Sequence, residues 1–388
     1  MNTQMGFWII SGILLISLMI LFRYAVSYLS QSKIAGFFAW LILLVDVAAF
    51  SGFTKTGREY IHQYLSEAQI GLISEAFTVL VMFQILMSVL VMIDMAIDKC
   101  KEKLKMPVDE SKRRFLRKGV LMPIAVAGAA VYGNRYEKEH TVVREIAVPT
   151  KDLPENLYGF RIAQLSDVHL GMFFSLERLR DLMEQASSLK ADVLVLTGDI
   201  FDDVDLNEEA AMIINEYTGR FPKGIFCCFG NHEHFRGIKK IKTYLAKTKI
   251  KLLDNRSVMI VNGERPLYLA GVDYPMARHA FDMLALSYMD DAFRNIPDKA
   301  VTVLLAHHPD FIDYAAERQV MLTLSGHTHG GQLGLFGIPL VPPVFKYMRG
   351  SYRVGDTFGY VHSGNGSWFP CRIGCPPEIA CFSLCEEG

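Results

Sequence analysis

Neither sign of charge prevails in this sequence: 40 Lys+Arg stand against 41 Asp+Glu, a formal net charge of -1 over 388 residues. Without a basic excess, nucleic acid is not an expected partner. Charged residues make up only 21% while aromatics reach 11%, which excludes a disordered chain. Cysteine is scarce as well; seven is an odd number and too thin for a secreted disulfide scaffold. No internal repeat and no low-complexity segment is visible. The sequence has no Walker-type phosphate loop and no Ser or Cys nucleophile elbow.

What is plentiful is apolar sequence, at 51%, with a mean hydropathy of +0.21. That value is high for a soluble enzyme and low for a transporter, so a membrane part joined to a water-soluble part is expected. The apolar residues crowd the start. No charge precedes Arg23, and apolar runs cover 6–22, 34–53 (interrupted by Asp46) and 70–97 (Glu75 and Asp94 near its ends). Each is close to the roughly 20 helical residues needed to cross a hydrocarbon core. Between Lys99 and Lys118 nine Lys/Arg face three Asp/Glu, and the positive-inside rule assigns this basic loop, 98–118, to the cytoplasm. A fourth run, 119–132, is shorter. It either crosses, leaving the remainder outside the cytoplasm, or lies at the interface; crossing is the expectation, with a multi-pass anchor in the cell membrane. Asp46 is a functional candidate simply because a carboxylate is costly in a bilayer.

After this transmembrane region, 1–133, the texture changes. Over 134–388 short β-rich runs alternate with amphipathic stretches, as an α/β domain requires. Arg161–Ser166, Asp192–Thr197, Gly224–Phe229, Val301–Ala306 and Val320–Ser325 read as strands, and Ser175–Leu189 as a helix. Several of the strands end in polar clusters: Asp167-Val168-His169, Gly198-Asp199-Ile200-Phe201-Asp202, Gly230-Asn231-His232-Glu233, His307-His308-Pro309 and Gly326-His327-Thr328-His329. Residues beyond the carboxyl ends of buried strands share a crevice. Asp167 and His169 are two apart, as are His327 and His329, and an extended backbone would point each pair the same way. Oxygen and nitrogen donors without a thiolate suit Mn, Fe, Zn or Ni. Two ions sharing a carboxylate would need about seven ligands, which the clusters supply.

The ordered set D-x-H, G-D-x-x-D, G-N-H-[DE], a later His and G-H-x-H resembles the calcineurin-like metallophosphoesterase superfamily. The details LSDVHLG and SGHTHGGQ are similar to its bacterial membrane-associated branch. The resemblance implies a four-layer α/β/β/α sandwich, with two mixed sheets flanked by helices, and two divalent ions, Mn, Zn or Fe. It implies Asp167, His169, Asp199 and His329 at one ion, and Asp199, Asn231, His307 and His327 at the other. His232 would be the non-ligand imidazole facing the phosphate, and Asp202 would orient a ligand histidine. The implied reaction is hydrolysis of a phosphodiester or pyrophosphate by a hydroxide bridging the metals; a catalytically weak membrane sensor or scaffold is the alternative. His234 and His308 read as rim residues.

Two further features stay open. Cys371, Cys375, Cys381 and Cys385 read first as buried thiols, then as a disulfide, then as a metal site; their C-x3-C spacing departs from zinc ribbons. Phe173, Phe174, Trp368, Phe369 and the stretch 333–348 either pack the domain or line the mouth of the site. In the second case a lipid-linked substrate is expected, and UDP-diacylglucosamine, cleaved by some members of the branch, is one candidate.

Overall fold

The computed structural model describes residues 3–29, 33–52, 55–106, 121–171, 173–335, 338–339, 345–367 and 370–387. The expectations resting on 107–120, on Phe336, Gly337, Leu340–Val344, Trp368 and Phe369 lie outside the described residues. Two compact units emerge, Met1–Tyr136 and Glu137–Gly388.

The first unit is helical: α1 (Thr3–Leu29), α2 (Lys33–Gly52), α3 (Lys55–Tyr64), α4 (Glu67–Lys103) and α5 (Met122–Arg135). Lys33–Ser51 and Gln69–Lys103 are long and apolar enough to cross a membrane. The second of these starts at a capping box, in which Ser66 and Gln69 satisfy each other's backbone N–H groups. It runs well past the apolar stretch into residues expected as loop. In contrast, the 14 residues of α5 span about 21 Å, short of a ~30 Å hydrocarbon core. Phe22 and Ala25 of α1, Met87 and Val91 of α4 and Val126 of α5 bury one another. Asp46 is buried on α2, where Gln84 Nε2 of α4 donates to its Oδ1 at 3.0 Å.

The second unit holds two six-stranded sheets. The first is ordered β1 (Val142–Thr150), β14 (Glu378–Glu386), β2 (Arg161–Leu165), β3 (Val193–Thr197), β4 (Ile225–Cys228) and β5 (Lys251–Leu252). Its only antiparallel pair is β14 with β2. The second is ordered β12 (Gly350–Val354), β13 (Thr357–Val361), β9 (Leu322–Ser325), β8 (Val301–Leu305), β7 (Leu267–Gly271) and β6 (Arg256–Val261), antiparallel at both edges. Both are therefore mixed. A two-residue ribbon, β10 (Gly334–Leu335) with β11 (Ile338–Pro339), stands apart.

Strand alternation explains the layers. Val193 and Val195 of β3 point to one side, where they meet Val301, Val303 and Leu322 of the facing sheet. Their neighbours Leu194 and Leu196 point the other way, onto Leu179, Leu182 and Met183 of α6 (Leu176–Ser188) and Ile213 of α7 (Asn207–Glu216). Both faces being covered, these strands read as continuous apolar runs rather than alternating ones. Leu304 of β8 likewise packs outward on Ala285 and Met289 of the helix Phe281–Phe293 and on Phe311 of the helix Phe311–Glu317. The order is helix, sheet, sheet, helix, as expected. The same alternation accounts for the buried adjacent thiols: Cys227 faces α6 and α7, Cys228 the inter-sheet core. All seven cysteines are free, and Cys371, Cys375 and Cys381 are buried while Cys385 is half-buried. The disulfide alternative is thereby set aside.

Candidate metal centre

Each predicted polar cluster sits where a buried parallel strand of the two central sheets gives out: β2, β3, β4, β8 and β9. The backbone there is not extended, as the spacing had suggested. Asp167, His169, Asp199, His327 and His329 all have positive φ, at 52°, 47°, 54°, 74° and 51°. Left-handed backbone is strained for residues with a Cβ and gathers at functional sites. Here it coils the chain after β2, β3 and β9 so that their side chains turn back into one crevice. Close approach adds to this. A Cβ on Gly230 would fall 2.2 Å from Asp199 Oδ1, and one on Gly326 would fall 2.2 Å from Asp167 Oδ2. Only glycine lets these loops meet.

The side chains converge in three overlapping groups, one of which, His169, Asp199 and His232, joins the other two through shared members. In the first, Asp167, His169 and His329 bring ligand atoms within 4.8 Å of one another. His169 Nε2 and His329 Nε2 face each other at 2.9 Å, and Asp167 Oδ1 is 3.3 Å from the latter. In the second, Asp199, His307 and His327 converge, with His307 Nε2 lying 3.1 Å from Asp199 Oδ2 and 3.2 Å from His327 Nδ1. Asp199 Oδ2 also lies 3.7 Å from His169 Nε2 of the first group. Its other oxygen is held by the backbone N–H of His232 at 2.8 Å. One carboxylate thus stands between these two groups with its second oxygen aimed at both.

Partners of the far ring nitrogens set the tautomers. His307 Nδ1 donates to the Thr197 carbonyl at 2.7 Å and His169 Nδ1 to Asp202 Oδ2 at 2.9 Å. Each therefore presents the lone pair of Nε2 to the crevice, the form a metal requires. Asn231 fits the same purpose: its Oδ1 is buried with no hydrogen-bond partner, a costly state that a cation would relieve. The electrostatics agree. Burial alone would lower the His307 pKa, but Asp199 and Asp167 push it up to about 10. Asp199 is held well below the ordinary range, its burial overcome by His307 and then His169. His327 and His329 are pushed well below the usual imidazole value by burial and by neighbouring histidines. Buried carboxylates and inward-turned imidazoles form a cation site by donor chemistry, with His307 giving up to an incoming ion the proton that Asp199 and Asp167 stabilise in its absence.

His232 is the one member of the joining group that belongs to neither of the others. Its ring meets that of His169 edge to face at 4.5 Å. Its Nδ1 lies 2.8 Å from Asp202 Oδ1, at an angle too oblique for a good hydrogen bond, and the side chain is 24% exposed. Burial lowers its pKa, but Asp202 and Asp199 raise it above the ordinary value on balance.

Comparison with known proteins identifies the lineage. Residues 160–331 match the family model for calcineurin-like phosphoesterases. The metallophosphoesterase YkuE of Bacillus subtilis, itself uncharacterized, is 33% identical over 284 residues, covering 71% of this chain and 97% of that protein. The chain belongs to the calcineurin-like metallophosphoesterases. The phosphodiesterase YaeI of Escherichia coli is 29% identical, covering 71% of this chain and 99% of its own. A zebrafish protein named as a transmembrane protein with a metallophosphoesterase domain is 31% identical; the match spans 68% of this chain and 62% of that one. The protein is a metal-dependent phosphoester hydrolase by family.

Several residues of this phosphoesterase unit carry the site although the sequence assigned them no role. Glu233, the last letter of the G-N-H-[DE] block, accepts from the backbone N–H groups of Asp199, Ile200, Phe201 and Gly230 at 2.7–3.0 Å. It ties two ligand loops together. Tyr274, whose hydroxyl is 3.4 Å from His327 Nε2, follows β7, a strand with the same polar ending as the others. Arg372 is fully buried beneath the crevice; its guanidinium donates to Cys375 O and Gly366 O and comes within 3.5 Å of His329 Nδ1.

One reading needs correction. His308 is not a solvated rim residue. It is 8% exposed and packs on Phe281 and Phe345, and burial with the neighbouring His307 lowers its pKa to about 3. His234 is tied up with Asp273 at 2.9 Å. Of the described apolar set, Phe345 lies 5.0 Å from the His327 ring, whereas Phe174 is a core residue and Tyr347 and Met348 are buried.

Proposed function

We propose that this protein is a membrane-anchored, dinuclear phosphoesterase, with a transmembrane region over 1–133 and a catalytic domain over 134–388. Asp167, His169, Asp199 and His329 would hold one divalent ion, and Asp199, Asn231, His307 and His327 the other. The observation that carries this reading is Asp199: one oxygen tethered by a backbone N–H, the other directed at histidines of both groups. When bound, the ions supply an activated water and neutralise the phosphoryl oxygens.

The chain's own residues do the rest. Glu233 fixes the Asp199 and Asn231 loops so that no reorganisation accompanies the reaction. Asp202 orients His169 and, at its other oxygen, attracts His232. With Nδ1 turned to Asp202 and a raised pKa, His232 keeps a proton for the departing oxygen. The substrate is a phosphodiester or pyrophosphate. A lipid-linked form, UDP-diacylglucosamine among them, gains support from Phe345 beside His327 and from the apolar helices of the first unit. The apolar helices also favour multi-pass placement in the cell membrane; an extracytoplasmic catalytic domain further requires 119–132 to cross, to which the short α5 lends no support.

The test is turnover of bis(p-nitrophenyl) phosphate by the detergent-solubilised full chain, with elemental analysis after loading with Mn, Zn or Fe. Two ions per chain with metal-dependent hydrolysis is the expected result. Full metal occupancy without turnover of any phosphoester would turn the reading into that of a sensor or scaffold.

A further inference from the structure

Arg236 shares a carboxylate oxygen of Asp202 with His232, and the chemistry above makes no use of it. It caps the short helix α8 (Asn231–Phe235), with its backbone N–H donating to the His232 carbonyl at 2.9 Å. One helical turn separates it from His232, so both side chains leave the same face. Its Nε donates to Asp202 Oδ1 at 2.7 Å, the same oxygen that lies 2.8 Å from His232 Nδ1. The guanidinium is thereby placed beside the proposed proton donor.

The mode of this contact is informative. An arginine that serves only to neutralise a carboxylate does so best with its fork, two parallel N–H bonds to two oxygens. Arg236 uses Nε alone, because Asp202 Oδ2 is already taken by His169. Among the described residues no partner is found for its two terminal amino groups, and the side chain is 45% exposed. The neighbouring imidazole of His234 is occupied by Asp273 and does not compete. An anchored, half-exposed guanidinium with its outer donors open has the geometry that recognises a phosphoryl group.

We propose that Arg236 binds a second, non-scissile phosphoryl group of the substrate, making diphosphate diesters the favoured class over single-phosphate diesters. The inference rests on the hydrolase reading above and narrows its substrate. Arg236 would act as a specificity-determining residue, and Asp202 would hold its guanidinium in register with His232.

The experiment compares wild type, Arg236→Gln and Arg236→Lys as full-length, Mn-loaded protein in detergent micelles. The probes are UDP-glucose and uridine 5′-(methyl phosphate), which share a nucleoside and differ in the number of phosphoryl groups. Affinity is read as inhibition of bis(p-nitrophenyl) phosphate hydrolysis and, independently of turnover, by calorimetry. The expected result is that wild type prefers UDP-glucose and that Arg236→Gln weakens it about 10- to 100-fold, the value of a lost charged hydrogen bond. The single-phosphate probe should weaken several-fold less, and Arg236→Lys should recover part of the loss. Equal weakening of both probes would reduce Arg236 to a counter-charge for Asp202, and absence of a preference in wild type would overturn the proposal outright. Failure of wild type to hydrolyse bis(p-nitrophenyl) phosphate would instead strike the hydrolase reading, while calorimetry would still decide the role of Arg236.

Discussion

Asp46 and Asp199 are both buried carboxylates, one in each unit, and their surroundings differ in kind. Asp46 receives one hydrogen bond, from Gln84, while its Oδ2, Gln84 Oε1 and nearby Ser88 Oγ are buried without partners. Nothing titratable converges on it among the described residues. Asp199 is held by a backbone N–H and flanked by His307 and His169, with Glu233 tying its own backbone N–H. Burial makes any carboxylate costly. The contrast shows that cost alone does not mark a centre; convergence of tethered donors does.

The largest effect should come from removing the shared charge. Asp199→Asn takes a negative charge from between the two groups, and both bound metal and rate should fall, the rate by more than about 10³-fold, in keeping with several kcal/mol of transition-state stabilisation. Elemental analysis beside turnover checks it. Retention of two ions per chain would place the bridge elsewhere.

His232→Ala comes next, and it sharpens the comparison because His232 is near the ligands without being assigned as one. Metal content should stay near normal while the rate drops about 10²- to 10⁴-fold. The drop should be steepest for alkoxide leaving groups and mild for nitrophenolate, which departs without a proton. A leaving-group series decides this; a uniform loss would make His232 a phosphate-positioning residue.

Asp202→Asn should cost about 10- to 100-fold, the usual toll of losing a carboxylate behind a ligand histidine. It should also move a pH profile. Asp202 contributes to the raised pKa of His232. A proton donor loses activity as pH rises through its pKa, so without Asp202 the alkaline limb of kcat should begin at lower pH. An unmoved limb would detach that limb from His232.

Asp46→Asn should do least. The amide keeps the volume and can still accept from Gln84, so stability should change by no more than about 1 kcal/mol. Turnover of bis(p-nitrophenyl) phosphate should match wild type, and a loss of rate would give the helical unit a part in the chemistry.

The legibility of the two units was also unequal. Strands β2, β3, β4 and β8 lie within a residue of where the apolar runs placed them, because strands buried on both faces leave no polar position to blur their ends. The four-layer order was implied by family resemblance, and the packing of Val193 against Val303 and of Leu194 against Leu179 supplies its physical basis. In the helical unit, α4 extends to Lys103, well into the basic stretch, since Lys is a good helix former and composition alone does not end a helix.

The sequence by itself determined which chemistry the crevice holds. Oxygen and nitrogen donors had to follow strand ends, and Asp167, Asp199, Asn231, His307 and His329 stand in the chain at those ends whatever their final geometry. Tertiary structure decided how they aim. The left-handed turns at Asp167, His169, Asp199, His327 and His329, the four backbone bonds to Glu233 and the shared oxygen of Asp202 between His232 and Arg236 join loops from β3 and β4 and from strands of the facing sheet. Such contacts arise only when segments distant along the chain are brought within hydrogen-bond reach, and no local pattern of residue types encodes that distance.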